Sequence, residues 1–166
     1  MMTIREFKGG LEGLKLCFIG DGNNMMNSLV VGGLKVGMTV SVACPEGYRP
    51  PQEILDFAGQ YDYFELTDDP MQAAKDADVV ITDVWTSMGQ EEERAKREAA
   101  FAGYCVDAKL MAQAKPDAMV QHCLPAHRGE EITEEVFEAN AAYIFEEAEN
   151  RLHAQKAVMV LTMAQN

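Results

Sequence analysis

The sequence predicts a doubly wound α/β domain, a five-stranded parallel sheet with helices on both faces. Two observations carry this. Short apolar or β-branched runs recur along the chain, and segments of helical length with recognisable caps separate them. Strands that alternate with helices imply right-handed crossovers, and such crossovers cover both faces of a parallel sheet.

The elements follow in order. Residues 2–8 carry Met2, Ile4 and Phe7 with no clear cap, so they read as the tail of a helix whose beginning is missing, closed by Gly9-Gly10. Leu14 to Ile19 is the first strand, and the turn Gly20-Asp21-Gly22-Asn23-Asn24 leads into a helix that Gly37 stops at its C′ position. Thr39 to Ala43 is the second strand, and Pro50-Pro51 opens a helix over Glu53 to Ala58. Tyr61 to Leu66 is a short third strand, followed by a helix from Asp69-Pro70 through Lys75. Asp78 to Thr82 is the fourth strand. Glu91 to Phe101 is a charged helix whose Glu, Arg and Lys residues read as a solvated face. Asp107 caps a helix over Ala108 to Ala114, and Ala118 to Gln121 is the fifth strand. Thr133 begins another helix, and the last spans Glu146 to Met163. Its Ala157 to Met163 stretch is apolar on nearly every side and asks for burial all round, which one sheet face does not supply.

Composition narrows the function. The chain has 166 residues, enough for one domain and crowded for two, so residues 1–166 are expected to form a single unit. A formal net charge of −13 repels phosphate backbones and acidic membrane surfaces, which argues against nucleic acid as a partner. No apolar run reaches the roughly 18 residues of a spanning helix, so no membrane partner is expected either. The four cysteines are widely spaced, with no Cys-x-x-Cys pair and no secretory leader, which points to reduced thiols and a cytoplasmic protein. The doubled methionine at the start would fit a piece of a longer protein.

Three stretches carry candidate chemistry. Asp83-Val84-Trp85-Thr86-Ser87-Met88-Gly89 follows the fourth strand, at the carboxyl edge where open parallel sheets bind ligands. Asp83 and Ser87 suit an ammonium and free backbone N–H groups a carboxylate, the two ends of an amino acid; the plainer reading is a helix cap. The glycine turn at Gly20 invites a dinucleotide reading, but Met25 occupies the third glycine position and Cys44 stands where a ribose-binding acid would be. A turn with a cap fits better, or an Asn24 amide directed to a carboxylate at the helix N-terminus. His122-Cys123-Leu124-Pro125 ends the fifth strand, and Cys123 there is a nucleophile, a polar contact or packing. His122, His127 and His153 with Cys123 meet no standard zinc spacing, so no metal is expected. Arg151, among Glu147, Glu149 and Asn150, is a surface charge or part of a fixed network able to clamp phosphate.

Asp83-x-x-x-Ser87-Met88-Gly89, His122-Cys123-Leu124-Pro125 and Phe145-Glu146-Glu147-Ala148-Glu149-Asn150-Arg151, in that order, closely resemble the ornithine carbamoyltransferase family, and the Gly20 to Asn24 turn fits it too. The resemblance covers the carboxyl-terminal, ornithine-binding half and implies a Rossmann-like domain without the Ser-x-Arg-Thr carbamoyl phosphate domain. It implies that Asn24 and the Met88 N–H hold the ornithine carboxylate, and Asp83 and Ser87 its α-ammonium. Cys123 would lie near the attacking amine, the Leu124 carbonyl would orient the carbamoyl amide, and Arg151 would reach carbonyl or phosphate oxygens. Cys123, Asp83 and Arg151 would thus be the catalytic residues, with Cys123, Leu124 and Arg151 serving carbamoyl phosphate. A cis Leu124–Pro125 bond is expected and no cofactor. The expected partners are L-ornithine, and carbamoyl phosphate only with the missing domain. The alternative is a stand-alone module that binds an amino acid or docks on a partner. Self-association through the apolar last helix is a further expectation.

Overall fold

The structure, a computed structural model, describes residues 1–86 and 93–163. Its helices are α1 (Met2–Lys8), α2 (Asn24–Lys35), α3 (Gln52–Ala58), α4 (Pro70–Ala74), α5 (Arg94–Ala100), α6 (Ala108–Met111), α7 (Glu134–Ala139) and α8 (Ala141–Met163). Its strands are β1 (Lys15–Ile19), β2 (Thr39–Ala43), β3 (Phe64–Thr67), β4 (Val79–Thr82) and β5 (Met119–His122).

All four strand pairings are parallel, in the order β3-β2-β1-β4-β5. The chain winds outward from β1 to β3, then returns across β1 to β4 and β5. That reversal between β1 and β4 opens a crevice at the carboxyl ends of the strands.

Side chains alternate across the sheet with the period of two that a pleated strand imposes. Cys17, Ile19, Val80 and Val120 enter one core with Ala73 and Ala74 of α4, Leu110 of α6, Val136 and Phe137 of α7 and Ile144 of α8. Leu16, Phe18, Val40, Val42, Val79 and Ile81 enter the other, against Ile4 of α1 and Met26, Val30 and Leu34 of α2. Both faces are covered, as the continuous apolar runs required.

Local signals account for most boundaries. The side chains of Asp69, Asp107 and Thr133 accept backbone N–H bonds at the starts of α4, α6 and α7. Gly37 follows the end of α2 at φ 79°, a conformation that glycine adopts without penalty. The third strand begins at Phe64 rather than Tyr61, because Tyr61 belongs to the turn after α3, its N–H donating to the Ala58 carbonyl.

Two expectations need correction. The last helix starts at Ala141, five residues before Glu146, and its two parts differ: Ile144 and Asn150 are buried, whereas residues 151–163 are exposed throughout. Nor is the α5 helix simply a solvated face. Arg97 is 4% exposed, held in an ion pair with Asp21, and its guanidinium lies 4.8 Å from the Tyr48 ring centroid.

Candidate active site

The carboxyl ends of the central strands open onto a cavity of about 410 Å³, lined among others by Asn24, Met25, Asp83, Thr86, Leu124 and His127. Each wall comes from a different connection: the start of α2, the segment after β4 and the turn after β5.

Asp83 ties these connections together. It is 7% exposed, and its Oδ1 accepts the Val84 N–H at 2.8 Å and the Cys123 thiol at 2.9 Å. Its Oδ2 accepts the Asn23 side-chain amide at 2.8 Å. Asn23 in turn caps α2, its Oδ1 accepting from the N–H groups of Met25 and Met26 at 2.9 and 3.1 Å. The positive end of α2 is thereby fixed against the cavity, with Asn24 on its wall.

Burial above all pushes the Glu147 carboxyl up, opposed by the chain's amino group and His122, and the Asp83 charge adds to the rise. Asp21 is raised in the same way, burial outweighing the Arg97 guanidinium, with Asp83 again adding.

The geometry makes the Cys123 thiol a hydrogen-bond donor to Asp83. Burial first, then the hydrogen bond to Asp83 and that group's charge, pushes the thiol far above the usual range.

The turn after β5 is pinned from below. The His122 ring is fully buried; its Nδ1 accepts the Leu124 N–H at 2.9 Å, and its Nε2 lies 3.1 Å from Glu131 Oε1. Leu124 adopts φ 55°, and the Leu124–Pro125 peptide is cis. On the opposite rim Arg97 donates through Nε to the Trp85 carbonyl while pairing with Asp21, and so joins the segment after β4 to the glycine turn. Gly22 donates its N–H to the Tyr48 carbonyl at 2.8 Å, and a Cβ there would sit 2.5 Å from the Arg49 carbonyl carbon.

The structure thus gathers Asn24, Asp83 and Leu124 around one cavity, with Cys123 behind its wall, bonded to Asp83. Ser87 and Met88 lie outside the described residues. Arg151 is exposed on α8 and does not line the cavity; of its expected network, Asn150 is buried and donates to Thr3, while Glu149 pairs with His153. The histidines and Cys123 weighed for zinc do not form the group with the nearest metal-ligand geometry among the described residues. That group is His127, Glu130 and Glu131, with ligand atoms within 4.8 Å of one another. Glu130 is ion-paired with Arg94, and Glu131 Oε1 is engaged by His122 and the His127 N–H.

Sequence reasoning missed Asn23, Arg97 and Glu131. The cap signal was present at Asn23-Asn24, but two adjacent asparagines left the capping one undecided. Arg97 and Glu131 stand among other charges, and only the fold distinguishes them.

Together these features define a class: a doubly wound α/β domain with a switch-point cavity formed by a buried aspartate and a helix N-terminus. The profile of the aspartate/ornithine carbamoyltransferase Asp/Orn-binding domain matches residues 12–162. An ornithine carbamoyltransferase of Geobacter sulfurreducens is 52% identical over 165 residues, covering 98% of this chain and 54% of that protein. Another from Thermococcus kodakarensis is 51% identical over 166 residues, covering 97% of this chain and 53% of its own length. Among solved structures, the Pyrococcus furiosus ornithine carbamoyltransferase superposes with a TM-score of 0.89 at 48% identity, over 98% of this chain and 53% of that one. The anabolic enzyme of Campylobacter jejuni gives 0.90 at 43% identity, over 96% and 55%. The chain belongs to the aspartate/ornithine carbamoyltransferase family, matching its Asp/Orn-binding domain. It spans about half the length of the curated relatives it matches.

Proposed function

We propose that this chain is the ornithine-binding half of an ornithine carbamoyltransferase, a single domain over residues 1–166 that acts with a carbamoyl phosphate domain to form L-citrulline and phosphate. The observation that carries the reading is the bonding of Asp83 to both Asn23 and Cys123 at one cavity. In this reading Asp83, with Ser87, receives the α-ammonium of L-ornithine, and Asn24 with the Met88 N–H receives the carboxylate at the positive end of α2. Cys123 lies near the side-chain amine as a neutral donor.

The chemistry needs little beyond positioning. The neutral side-chain amine attacks the carbamoyl carbon, the bond from that carbon to the phosphate oxygen breaks, and the nitrogen gives up a proton as phosphate leaves. Leu124 orients the carbamoyl group, and Arg151 answers the oxyanion or the phosphate once a second domain brings carbamoyl phosphate to α8. Alone, the chain has little or no turnover, because the carbamoyl phosphate loop implied by the family motif lies outside it.

Calorimetric titration of the 166-residue chain with L-ornithine, followed by a citrulline assay with and without a separately made carbamoyl phosphate domain, tests the reading. Citrulline formed only in the mixture supports a catalytic site shared between the two domains. Ornithine binding without citrulline in either arm favours the alternative, a stand-alone amino-acid-binding module, and citrulline from the chain alone refutes the dependence on a partner domain.

The reading extends to a reducing, cytoplasmic setting, supported by free thiols at Cys17, Cys44, Cys105 and Cys123. No helix among the described residues is long and apolar enough to cross a membrane. It also extends to self-association through α8, whose Val158, Met159, Val160, Leu161 and Met163 are each more than half exposed. Sedimentation that gives a monomer at all concentrations refutes that extension.

A further inference from the structure

We infer that Glu131 is a positioning residue for the proposed carbamoyl-orienting turn, acting through His122 to hold the Leu124 backbone at the cavity wall. The inference rests on the reading above for its function and on hydrogen-bond geometry for its mechanism.

Leu124 is the starting point. A leucine at φ 55° occupies a sparsely populated backbone region, which persists only where the surroundings over-determine it. The hold is visible. The Leu124 N–H donates to His122 Nδ1 at 2.9 Å across a span of two residues. A backbone N–H has only a proton to offer, so Nδ1 is the acceptor and the imidazole proton resides on Nε2. That nitrogen faces Glu131 Oε1 at 3.1 Å, in a pair whose side chains are both 0% exposed. Glu131 therefore selects the tautomer that Leu124 requires.

The same carboxylate closes the far end of the turn. Glu131 Oε1 also accepts the His127 N–H at 2.6 Å, so one oxygen grips the turn through residue 122 and again at residue 127. Its own backbone is anchored outside the turn: the Val106 N–H donates to the Glu131 carbonyl at 2.8 Å, and Val106 pairs with Ile132 in a parallel bridge. Position thus passes from the Val106 segment through Glu131 and His122 to Leu124. Without the carboxylate the ring is free to take the other tautomer, whose Nδ1–H opposes the Leu124 N–H and releases the turn.

The test uses the whole chain labelled with ¹⁵N. In the wild type the His122 ring is expected with its proton on Nε2 and a bare Nδ1, and the Leu124 amide is expected to be protected from exchange. In Glu131→Leu, which keeps much of the bulk but removes both accepting oxygens, the Leu124 amide is expected to exchange about tenfold faster while Val80 in β4 is unchanged, with L-ornithine affinity lower by about tenfold where the wild type binds it. A wild-type His122 carrying its proton on Nδ1 overturns the inference, as does a Leu124 amide as protected in the variant as in the wild type. Equal loss of protection at Val80 and Leu124 marks Glu131 as merely structural and overturns it too. A wild type that binds no ornithine counts against the proposed function, while the ring tautomer and Leu124 exchange still decide the relay.

Discussion

Replacing Arg97 with methionine removes a charge that the fold has enclosed on every side. The side chain is 5% exposed and its partner Asp21 17%, and the guanidinium lies 4.8 Å from the Tyr48 centroid and 5.6 Å from that of Phe101. Methionine fills comparable length in this aromatic slot, so the loss falls on the polar partners. Asp21 keeps a partly buried carboxylate with no counterion, and the Trp85 carbonyl loses its donor. Breaking a buried pair from one side costs about 3–5 kcal/mol, a large share of the roughly 5–15 kcal/mol that holds a typical domain together. Urea unfolding is the assay, expected to give a lower midpoint at unchanged slope. Adding Asp21→Asn should restore part of the loss by removing the stranded charge, and Arg97→Lys, which keeps a charge, should fall between wild type and Arg97→Met. The pH dependence has a defined sign. Asp21 already ionises above its ordinary 3.8, chiefly through burial, and loss of Arg97 raises it further. A carboxyl raised in the folded state favours folding below its unfolded value and loses that contribution as pH climbs through the folded value. The variant's deficit should therefore be larger at pH 7 than near pH 4. A loss under about 1 kcal/mol, or a deficit that does not grow with pH, refutes the reasoning.

Further outcomes follow from single groups. Burial pushes the fully enclosed Cys17 thiol to about 12 from an ordinary 9.0, so the unfolded chain loses this proton first as pH rises. Stability should fall by about 2 kcal/mol between pH 8 and 10.5 on this group's account, and urea midpoints should show a smaller fall in Cys17→Ala. Cys123, protonated against Asp83, should react with iodoacetamide at pH 8 at least about tenfold more slowly than a free cysteine; a rate equal to that of free cysteine contradicts its role as donor. Asp83→Asn keeps the size of the group while removing its charge, and should weaken L-ornithine binding by about 2 kcal/mol, or roughly thirtyfold, in a calorimetric titration.

The fold was legible because its signals are local. Val79-Val80-Ile81-Thr82 has no helical reading, and Asp69-Pro70, Asp107 and Thr133 each perform the capping that their residue types announce. The start of α8 was hidden because Tyr143-Ile144-Phe145 has the composition of a strand, and only packing on β5 decides between the two. The placement of Asp83, Cys123 and Leu124 just beyond strand ends was legible from the runs that form β4 and β5. Arg97 was not, since nothing along a charged helix separates an arginine that meets Asp21, 76 residues away, from one that meets water. Glu131 was hidden by its twin at Glu130: the two share composition and neighbourhood, and differ in which side of the chain faces His122.

The close approach at Gly22 bears on how glycine spacing is interpreted. Two glycines between a strand and a helix spell most of a nucleotide fingerprint, yet here the room left by the missing methyl is taken by the backbone from Tyr48 to Pro50. The vacancy is filled by the protein's own chain rather than by a pyrophosphate. A helix entrance crowded in this way leaves little room for a pyrophosphate, so the same glycine that imitates a nucleotide site helps to exclude it.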